Sequence, residues 1–469
     1  MEQQQQKKLE QDVGVYYAPW EKSADRIITP FEKFVHHESS SAFVLAAATI
    51  IALILANSAF YGLYTEITHI KLGFSIGTIS LYKSMHHWVN DGLMALFFFV
   101  IGLELKREIL IGELSTMKKA ALPIFAGIGG MLVPAAIFYI ININGPGING
   151  WAIPMATDIA FAIGLMVLLG NRIPRSLMAF LVALAIADDL GAVTVIALFY
   201  TENLNISALL LSAFFVLVLL IFNRSGLRNP IPYFIVAIGL WFAMLESGVH
   251  ATLAGVIGAM TIPCRQKLDT SLFEVKAEEL LKKFKSSRNA EKNISKNFVM
   301  RSIIYELEDK IKEVMTPLHR LEHLWHVPVA FIVIPIFAFF NAGVPMETDA
   351  INQETSHVFF GIVAGLVLGK LIGIVGFSWL AIKLKLAQLP TNTQFTHIIG
   401  TALLAGIGFT MSIFIAQLAF GKEEELLQAA KMGIIAASVL AGSIGYSILW
   451  VLGKNKRYKS SSERDNCDA

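Results

Sequence analysis

Residues 184–198, LAIADDLGAVTVIAL, constrain the fold of this chain more than any other stretch, because they set two adjacent carboxylates, Asp188 and Asp189, inside an apolar run. Even on lenient insertion scales, one ionised aspartate at a bilayer centre costs about 2.5–3.5 kcal/mol. Two in succession need water, a cation, a proton or a basic partner. The default reading is a transport site within a membrane protein.

Composition supports a membrane setting. Hydrophobic residues make up 55% of the chain, charged residues only 16%, and mean hydropathy is +0.59, values that exclude an ordinary soluble domain. The net charge of +2 says little, and no nucleic-acid partner is expected. Cys264 and Cys467 fall in polar segments placed on the cytoplasmic side, so neither a disulfide framework nor a cysteine metal site is expected. The first apolar run begins near Ala42, after a glutamine-rich tail, and no cleavable signal peptide is expected.

A helix needs about 20 apolar residues to cross the hydrocarbon core. About twelve segments qualify: 42–58, 86–105, 120–142, 151–170, 175–200, 206–223, 231–246, 249–263, 325–343, 357–382, 395–418 and 428–453. The predicted class is an all-α polytopic membrane protein. Basic residues test this count independently, since cytoplasmic loops are enriched in Lys and Arg. Alternate connections carry Lys106, Arg107, Lys118 and Lys119, then Arg172 and Arg175, then Arg224 and Arg228, then a long insert, then Lys383 and Lys385. Both termini are then cytoplasmic. The chain divides into a tail over 1–40, a first membrane part over 41–263, an insert over 264–320, a second membrane part over 321–455 and a tail over 456–469.

Two segments outside the spans have a pattern of their own. Residues 67–82 alternate apolar and polar side chains around Gly77, as an exposed hairpin would, and sticky strand edges can pair with a second copy of the chain. A loop lying on lipid headgroups is the alternative. In the insert, Phe273, Ala277, Leu280, Leu281 and Phe284 share one helical face, as do Met300, Ile303, Ile304, Leu307, Ile311 and Val314. Two amphipathic helices are predicted there, structural or regulatory.

Several intramembrane residues carry chemistry. Pro154 lies four residues before Asp158 in one span, and Gly406 and Gly408 accompany Thr410 and Ser412 in another. Both are candidate helix interruptions, whose freed backbone groups must face protein or a polar cavity. Broken segments in both halves point to a transporter site built from an inverted repeat, and glycine-mediated helix packing is the plainer reading. Lys370 is the one intramembrane base in the second half, suited to a structural salt bridge or to a proton-carrying ammonium. Asp188 and Asp189 stand about 100° apart around a helix, so they cannot face one way. Their mutual repulsion favours uptake of a proton or a cation. Sodium takes oxygen ligands, which Thr157, Asp158 and main-chain carbonyls can extend. Protons and sodium would compete for the same oxygens, and competition with alternating access suffices for exchange.

Elsewhere, Glu104, Arg107 and Glu108 end the second span, and Glu322, His323 and His326 open the ninth. Such a cluster can sense pH or form an ion-pair network. His250 reads as a packing histidine, and Asp91 as a further buried acid.

The motifs IGLELKRE, ATDIAFA, ALAIADDLGA, SGVHATLAG, LGK and GIGFTMSIFIA together resemble the NhaA family of bacterial sodium/proton antiporters, over about residues 38–455. The resemblance implies twelve helices, an inverted repeat with two broken crossing helices, and a homodimer joined through hairpin 67–82. It implies electrogenic exchange of internal sodium or lithium for external protons across the inner membrane, with no cofactor. Asp188 and Asp189 would form the cation and proton site. Asp158 and Lys370, with Thr157 beside them, would balance the charges of the half-helices. Glu104, Arg107, Glu108, Glu322, His323 and His326 would belong to a pH-sensing region. Two features depart from the family: the insert is longer than the compact connection expected, and the tail with Cys467 has no counterpart.

Rival readings are an intramembrane aspartyl protease using Asp158 and Asp189, and a symporter of an organic anion or an exchanger of potassium on the same fold. Asp189 lacks a GxGD context, and a protease dyad has no use for Lys370.

Overall fold

The computed structural model describes residues 40–76, 79–112, 114–201, 204–288, 297–345 and 352–453. A bilayer offers no partner to a free N–H or C=O, so long apolar runs satisfy their backbone internally as helices. The protein is an all-α polytopic membrane protein, with helices long and apolar enough to span.

The chain enters through α1 (Ser40–Ala56), bends by 115° into α2 (Tyr61–His69), and forms a hairpin of β1 (Lys71–Ile76) and β2 (Ile79–Ser84). Lys71 pairs with Ser84 and Ile76 with Ile79, an antiparallel register. The hairpin starts and ends later than the 67–82 expected, because residues 67–69 complete α2. Gly77 and Thr78 lie outside the described residues. A helical turn, Met85–His87, and a π-helical stretch, Trp88–Leu93, lead into α3 (Met94–Leu110). Next come α4 (Met117–Ile141), a 3-10 stretch Pro146–Met155, α5 (Ile159–Leu168), α6 (Arg175–Phe199), α7 (Ile206–Arg224), α8 (Pro230–Leu245) and α9 (Leu253–Thr261). Only 253–261 of the expected span 249–263 is helical, since Ser247 to Thr252 form turns.

The insert folds as α10 (Thr270–Arg288) and α11 (Phe298–Val314), packed on each other through Leu280, Met300 and Ile303. Leu281, Ile304 and Ile311, which belong to the predicted apolar faces, are exposed, because a two-helix hairpin buries only a narrow seam of each helix. The amides of Lys267 and Leu268 donate to the Glu313 carbonyl at 3.0 and 3.2 Å and close the base of the insert.

The second half begins earlier than residue 325, at α12 (Pro317–Pro328), which runs through a π-helical stretch, Val329–Val333, into α13 (Ile334–Ala342). After it, α14 (Gln353–Ala364) continues through the π-helical Gly365–Gly369 into α15 (Lys370–Lys383). The chain ends with α16 (Phe395–Leu404), α17 (Phe409–Phe420) and α18 (Glu424–Gly453).

The sequence of span, broken span, span occurs twice, as α4, Pro146–Met155 with α5, then α6, and as α14–α15, α16 with α17, then α18. The two leading spans pack antiparallel. Gly129 abuts Gly373, Pro134 abuts Gly369 and Gly365, Phe138 abuts Gly361, and Asn142 donates its Nδ2 to the His357 carbonyl at 3.2 Å. Glycine at these positions lets the two backbones touch, which brings Lys370 over the middle of the bundle.

Candidate ion site at the helix crossing

Both broken spans fail at the same place. Pro154 lacks an N–H, and the chain after it runs extended through Ala156, Thr157 and Asp158 before α5 starts, with a bend of 42°. In the second break, Gly406 and Gly408 separate α16 from α17, which bend by 50°. The Asp158 amide donates to the Ile407 carbonyl at 2.6 Å, and the Thr157 hydroxyl lies 2.9 Å from the Ala405 carbonyl. The two interruptions thus cross and satisfy each other's freed backbone.

The crossing gathers like ends of four half-helices, and a side chain of opposite charge sits at each gathering. Asp158 caps its own helix, accepting from the Phe161 amide at 3.1 Å. Its other oxygen accepts from the Thr410 amide at 2.9 Å and the Thr410 hydroxyl at 2.5 Å, at the start of α17. One carboxylate therefore serves two helix N-termini, where partial positive charge accumulates. Ser412 Oγ donates to the Ile153 carbonyl at 2.8 Å, and Ser438 Oγ of α18 accepts from the Phe409 amide at 3.2 Å.

On the other side, Lys370 is fully buried. Its Nζ donates to Asp188 Oδ2 at 2.5 Å and to Thr157 Oγ1 at 3.0 Å. Thr157 Oγ1 lies 2.9 Å from both Asp188 Oδ2 and the Ala405 carbonyl, so its single proton joins either the acid or the C-terminal end of α16. The π-helical turn immediately before Lys370 widens the helix there and loosens its hydrogen-bond ladder.

Asp188 and Asp189 are both wholly buried on α6. Asp188 Oδ1 faces Gly127 and Gly130 of α4, and a Cβ built at those glycines would lie 3.3 and 3.6 Å from it. Among the described residues, neither that oxygen nor either oxygen of Asp189 accepts a hydrogen bond. A buried, unpartnered carboxylate oxygen is costly unless a proton or a cation meets it. The structure therefore brings Thr157, Asp158, Asp188, Asp189 and Lys370 to one crossing.

The six residues at the ends of α3 and α12 are only partly gathered. Arg107 bridges Glu108 and Glu322, each at 3.1 Å, and His326 Nδ1 stands 3.4 Å from Glu104 Oε1. Glu322 Oε2 is buried without a donor among the described residues. His323 is exposed and stands outside this network, because it faces away from α3 one residue after Glu322. Asp91 is not at the crossing: it pairs with His87 at 2.9 Å. His250 holds the Tyr200 carbonyl at 2.8 Å, a packing role.

Sequence reasoning took Lys106 only as a loop charge. Its Nζ reaches the carbonyls of Met260 and Ile262 at 2.6 and 2.5 Å, closing the C-terminal end of α9. The signal was its position one turn inside the apolar face of α3. The role of Thr410 as a double donor to Asp158 was also missed, since it depends on the crossing.

Known proteins match this sequence along almost the whole chain. Relatives include Na(+)/H(+) antiporter NhaA 1 of Saccharophagus degradans, 50% identical over 94% of this chain and 96% of its own. Na(+)/H(+) antiporter NhaA of Sulfurimonas denitrificans is 49% identical over 94% and 99%. Na(+)/H(+) antiporter NhaA 1 of Pseudoalteromonas atlantica is 40% identical over 97% of both. The pattern that describes the Na+/H+ antiporter 1 family covers residues 32–449, and with the crossing and these relatives it makes the chain a member of that family, a sodium/proton exchanger and not an enzyme.

Proposed function

We propose that Asp188 and Asp189 are the pair at which sodium or lithium competes with protons, and that the exchange is electrogenic. The observation that carries this reading is the unequal partnering of the two acids. Asp188 is neutralised by Lys370, whereas Asp189 and one oxygen of Asp188 have no donor among the described residues. A cation entering between the carboxylates takes their oxygens, with Thr157 Oγ1 and carbonyls of the breaks as further ligands. It also displaces the Lys370 ammonium from Asp188. If Asp189 and Lys370 each release one proton as one cation enters, two charges leave for one that arrives. Return of the protons from the other side resets the ion pair, and net charge moves in each cycle.

The finer assignments belong to the same reading. Sodium or lithium leaves the cytoplasm and protons enter, across a bacterial inner membrane with both chain termini inside, as the alternation of basic loops supports. No cofactor is required, because the chemistry is ion binding and the access change is conformational. The Glu104, Arg107, Glu108, Glu322 and His326 network tunes the response to internal pH. Among the described residues the sheet of β1 and β2 has only two strands, so each offers an outer edge that suits pairing with a second copy in a homodimer.

The test is proton movement in proteoliposomes holding an internal pH dye, for wild type and Asp189→Asn, with sodium, lithium and potassium in turn. Sodium and lithium should collapse an imposed pH gradient through wild type alone. Movement with potassium, or full activity in the variant, would refute the assignment. A valinomycin clamp that leaves the rate unchanged would refute electrogenicity.

A further inference from the structure

A groove facing lipid runs beside the crossing, between α1 and α18, and encloses about 500 Å³. Its floor is α5, whose Gly164 lets Ala42 of α1 come close. Ile50 of α1 and Val439 of α18 line the groove and are 55% and 64% exposed, so it opens sideways from spanning helices. The hydroxyls of Thr49 and Ser443 are turned back onto the Leu45 and Val439 carbonyls of their own helices, at 2.9 and 2.6 Å, which leaves the walls apolar. Along α18 the lining runs from Ile435 to Tyr446, about 16 Å at a rise of about 1.5 Å per residue. That is about half of a hydrocarbon core some 30 Å thick, the reach of an acyl chain in one leaflet.

The Tyr446 end carries a cation. Arg172 follows α5 in the turn Gly170–Arg172, and its backbone packs on Gly453 of α18, where a Cβ would lie 2.6 Å from the Arg172 carbonyl oxygen. Its guanidinium lies 5.1 Å from the centre of the Trp450 ring, about one turn short of Gly453 and one turn beyond Tyr446. Among the described residues no carboxylate pairs with this guanidinium, and its buried Nη1 has no partner. An arginine, a tryptophan and a tyrosine gathered at the end of two spans mark the depth of the headgroups.

The opposite end reaches the crossing. Phe161 and Phe409 meet edge to face with ring centroids 5.2 Å apart, and with Ile407 they close the groove. The Ile407 carbonyl takes the Asp158 amide, and the Phe409 amide is held by Ser438, itself in the groove wall.

We propose that this groove is a site for one anionic phospholipid, its acyl chain lying between α1 and α18 and its phosphate on Arg172. Any membrane lipid can supply the chain, because apolar walls without a neighbour forfeit their dispersion contacts. Selection comes from the mouth. A guanidinium without a carboxylate favours a phosphate whose charge is not offset by an ammonium in the same headgroup. The seated chain also braces Phe161, Ile407 and Phe409, so binding stabilises the two breaks. The inference stands on the groove and its mouth, whichever acids carry the cation.

The test uses full-length protein in detergent micelles supplemented with phosphatidylglycerol that carries a diazirine at the end of one acyl chain. After irradiation, mass spectrometry should find the label at the deep end, in the peptides holding Phe161, Phe409 and Ile435. Unlabelled phosphatidylglycerol should compete about fivefold better than phosphatidylcholine, the worth of one cationic contact to an anionic lipid. Arg172→Gln should erase that preference, and Arg172→Lys, which keeps the charge, should retain it. Val439→Trp, which fills the groove from an exposed position and leaves the mouth intact, should remove the label from the deep end. Added phosphatidylglycerol should raise the melting temperature of wild type more than that of Arg172→Gln, because a ligand of the folded state stabilises it. Equal competition by the two lipids, or a preference that survives in folded Arg172→Gln protein, overturns the site. Label spread evenly over the lipid-facing helices, unchanged by Val439→Trp, overturns it as well. Neither readout uses transport, so failure of the lipid site and failure of the exchanger reading are separate results.

Discussion

Lys370 lies 2.5 Å from Asp188, yet Asp189, the next residue on the same helix, has no donor among the described residues. Both acids are fully buried, so their substitution should have opposite consequences for stability. Asp188→Asn removes the charge opposite Lys370 and leaves a buried ammonium uncompensated, a loss on the order of 3–5 kcal/mol. Asp189→Asn removes a carboxylate that nothing in the protein satisfies, so its melting temperature in detergent should equal or exceed that of wild type. Both variants should lose sodium-driven proton movement. Equal destabilisation by the two would show that Lys370 is shared between them.

The close approach of α4 and α15 makes a second prediction. A Cβ built on Gly373 would lie 2.1 Å from the Gly129 carbonyl oxygen, and one on Gly129 would lie 2.3 Å from the Gly373 oxygen. Either alanine must push the helices apart, at a cost of about 1–3 kcal/mol for overpacking. The same push carries Lys370, one turn before Gly373, away from Asp188. Gly376, on the same helix, has nothing within 4 Å, so Gly376→Ala should be silent or slightly stabilising. Thermal melting and exchange rate, measured on all three, should separate the first two from the third.

The acids and the lysine at the crossing are legible in the sequence because a charge inside an apolar run is costly in any fold. Pro154 and the glycines of 404–408 are legible as interruptions for a similarly local reason. What each charge touches is not local. Whether Lys370 would meet Asp188 or another acid depends on Thr157, brought in by one break, and on the π-helical turn that precedes Lys370. Helical periodicity assumes a uniform 3.6-residue turn, and so hides such stretches. The same assumption groups Ile304 and Ile311 on one face with Met300 and Ile303, yet a two-helix seam is too narrow to cover them.

Asp158 accepts three hydrogen bonds from two helix starts, which separates its charge from its acceptor role. Asp158→Asn keeps one acceptor oxygen and loses the charge, whereas Asp158→Ala orphans the Phe161 amide and both Thr410 donors. Each orphaned buried donor costs on the order of 1–3 kcal/mol. Melting temperatures should therefore fall in the order wild type, Asn, Ala. Exchange should drop in the Asn variant despite its intact fold, because the positive ends of α5 and α17 are then unbalanced. An Asn variant as active as wild type would restrict Asp158 to capping.

The insert supplies the last test, because its closure depends on a carboxylate outside the membrane. Glu313 is hydrogen-bonded by Lys310 at 2.8 Å and by Lys267, and these two ammonium groups hold its carboxyl down to about 2. A carboxylate with a depressed folded value contributes stability above its ordinary value, near 4.5, and loses it as pH falls towards 2. The Lys267 and Leu268 amides, which donate to the Glu313 carbonyl, should therefore exchange with solvent progressively faster, relative to their intrinsic rates, as pH drops from about 5 to about 3. Glu313→Gln should remove that extra acceleration and show fast exchange throughout. Deleting residues 268–315 should leave sodium/proton exchange intact, since none of the insert's described residues reaches the crossing. If the correctly inserted deletion moves no sodium, the insert is part of the transport machinery and its base is more than a clasp.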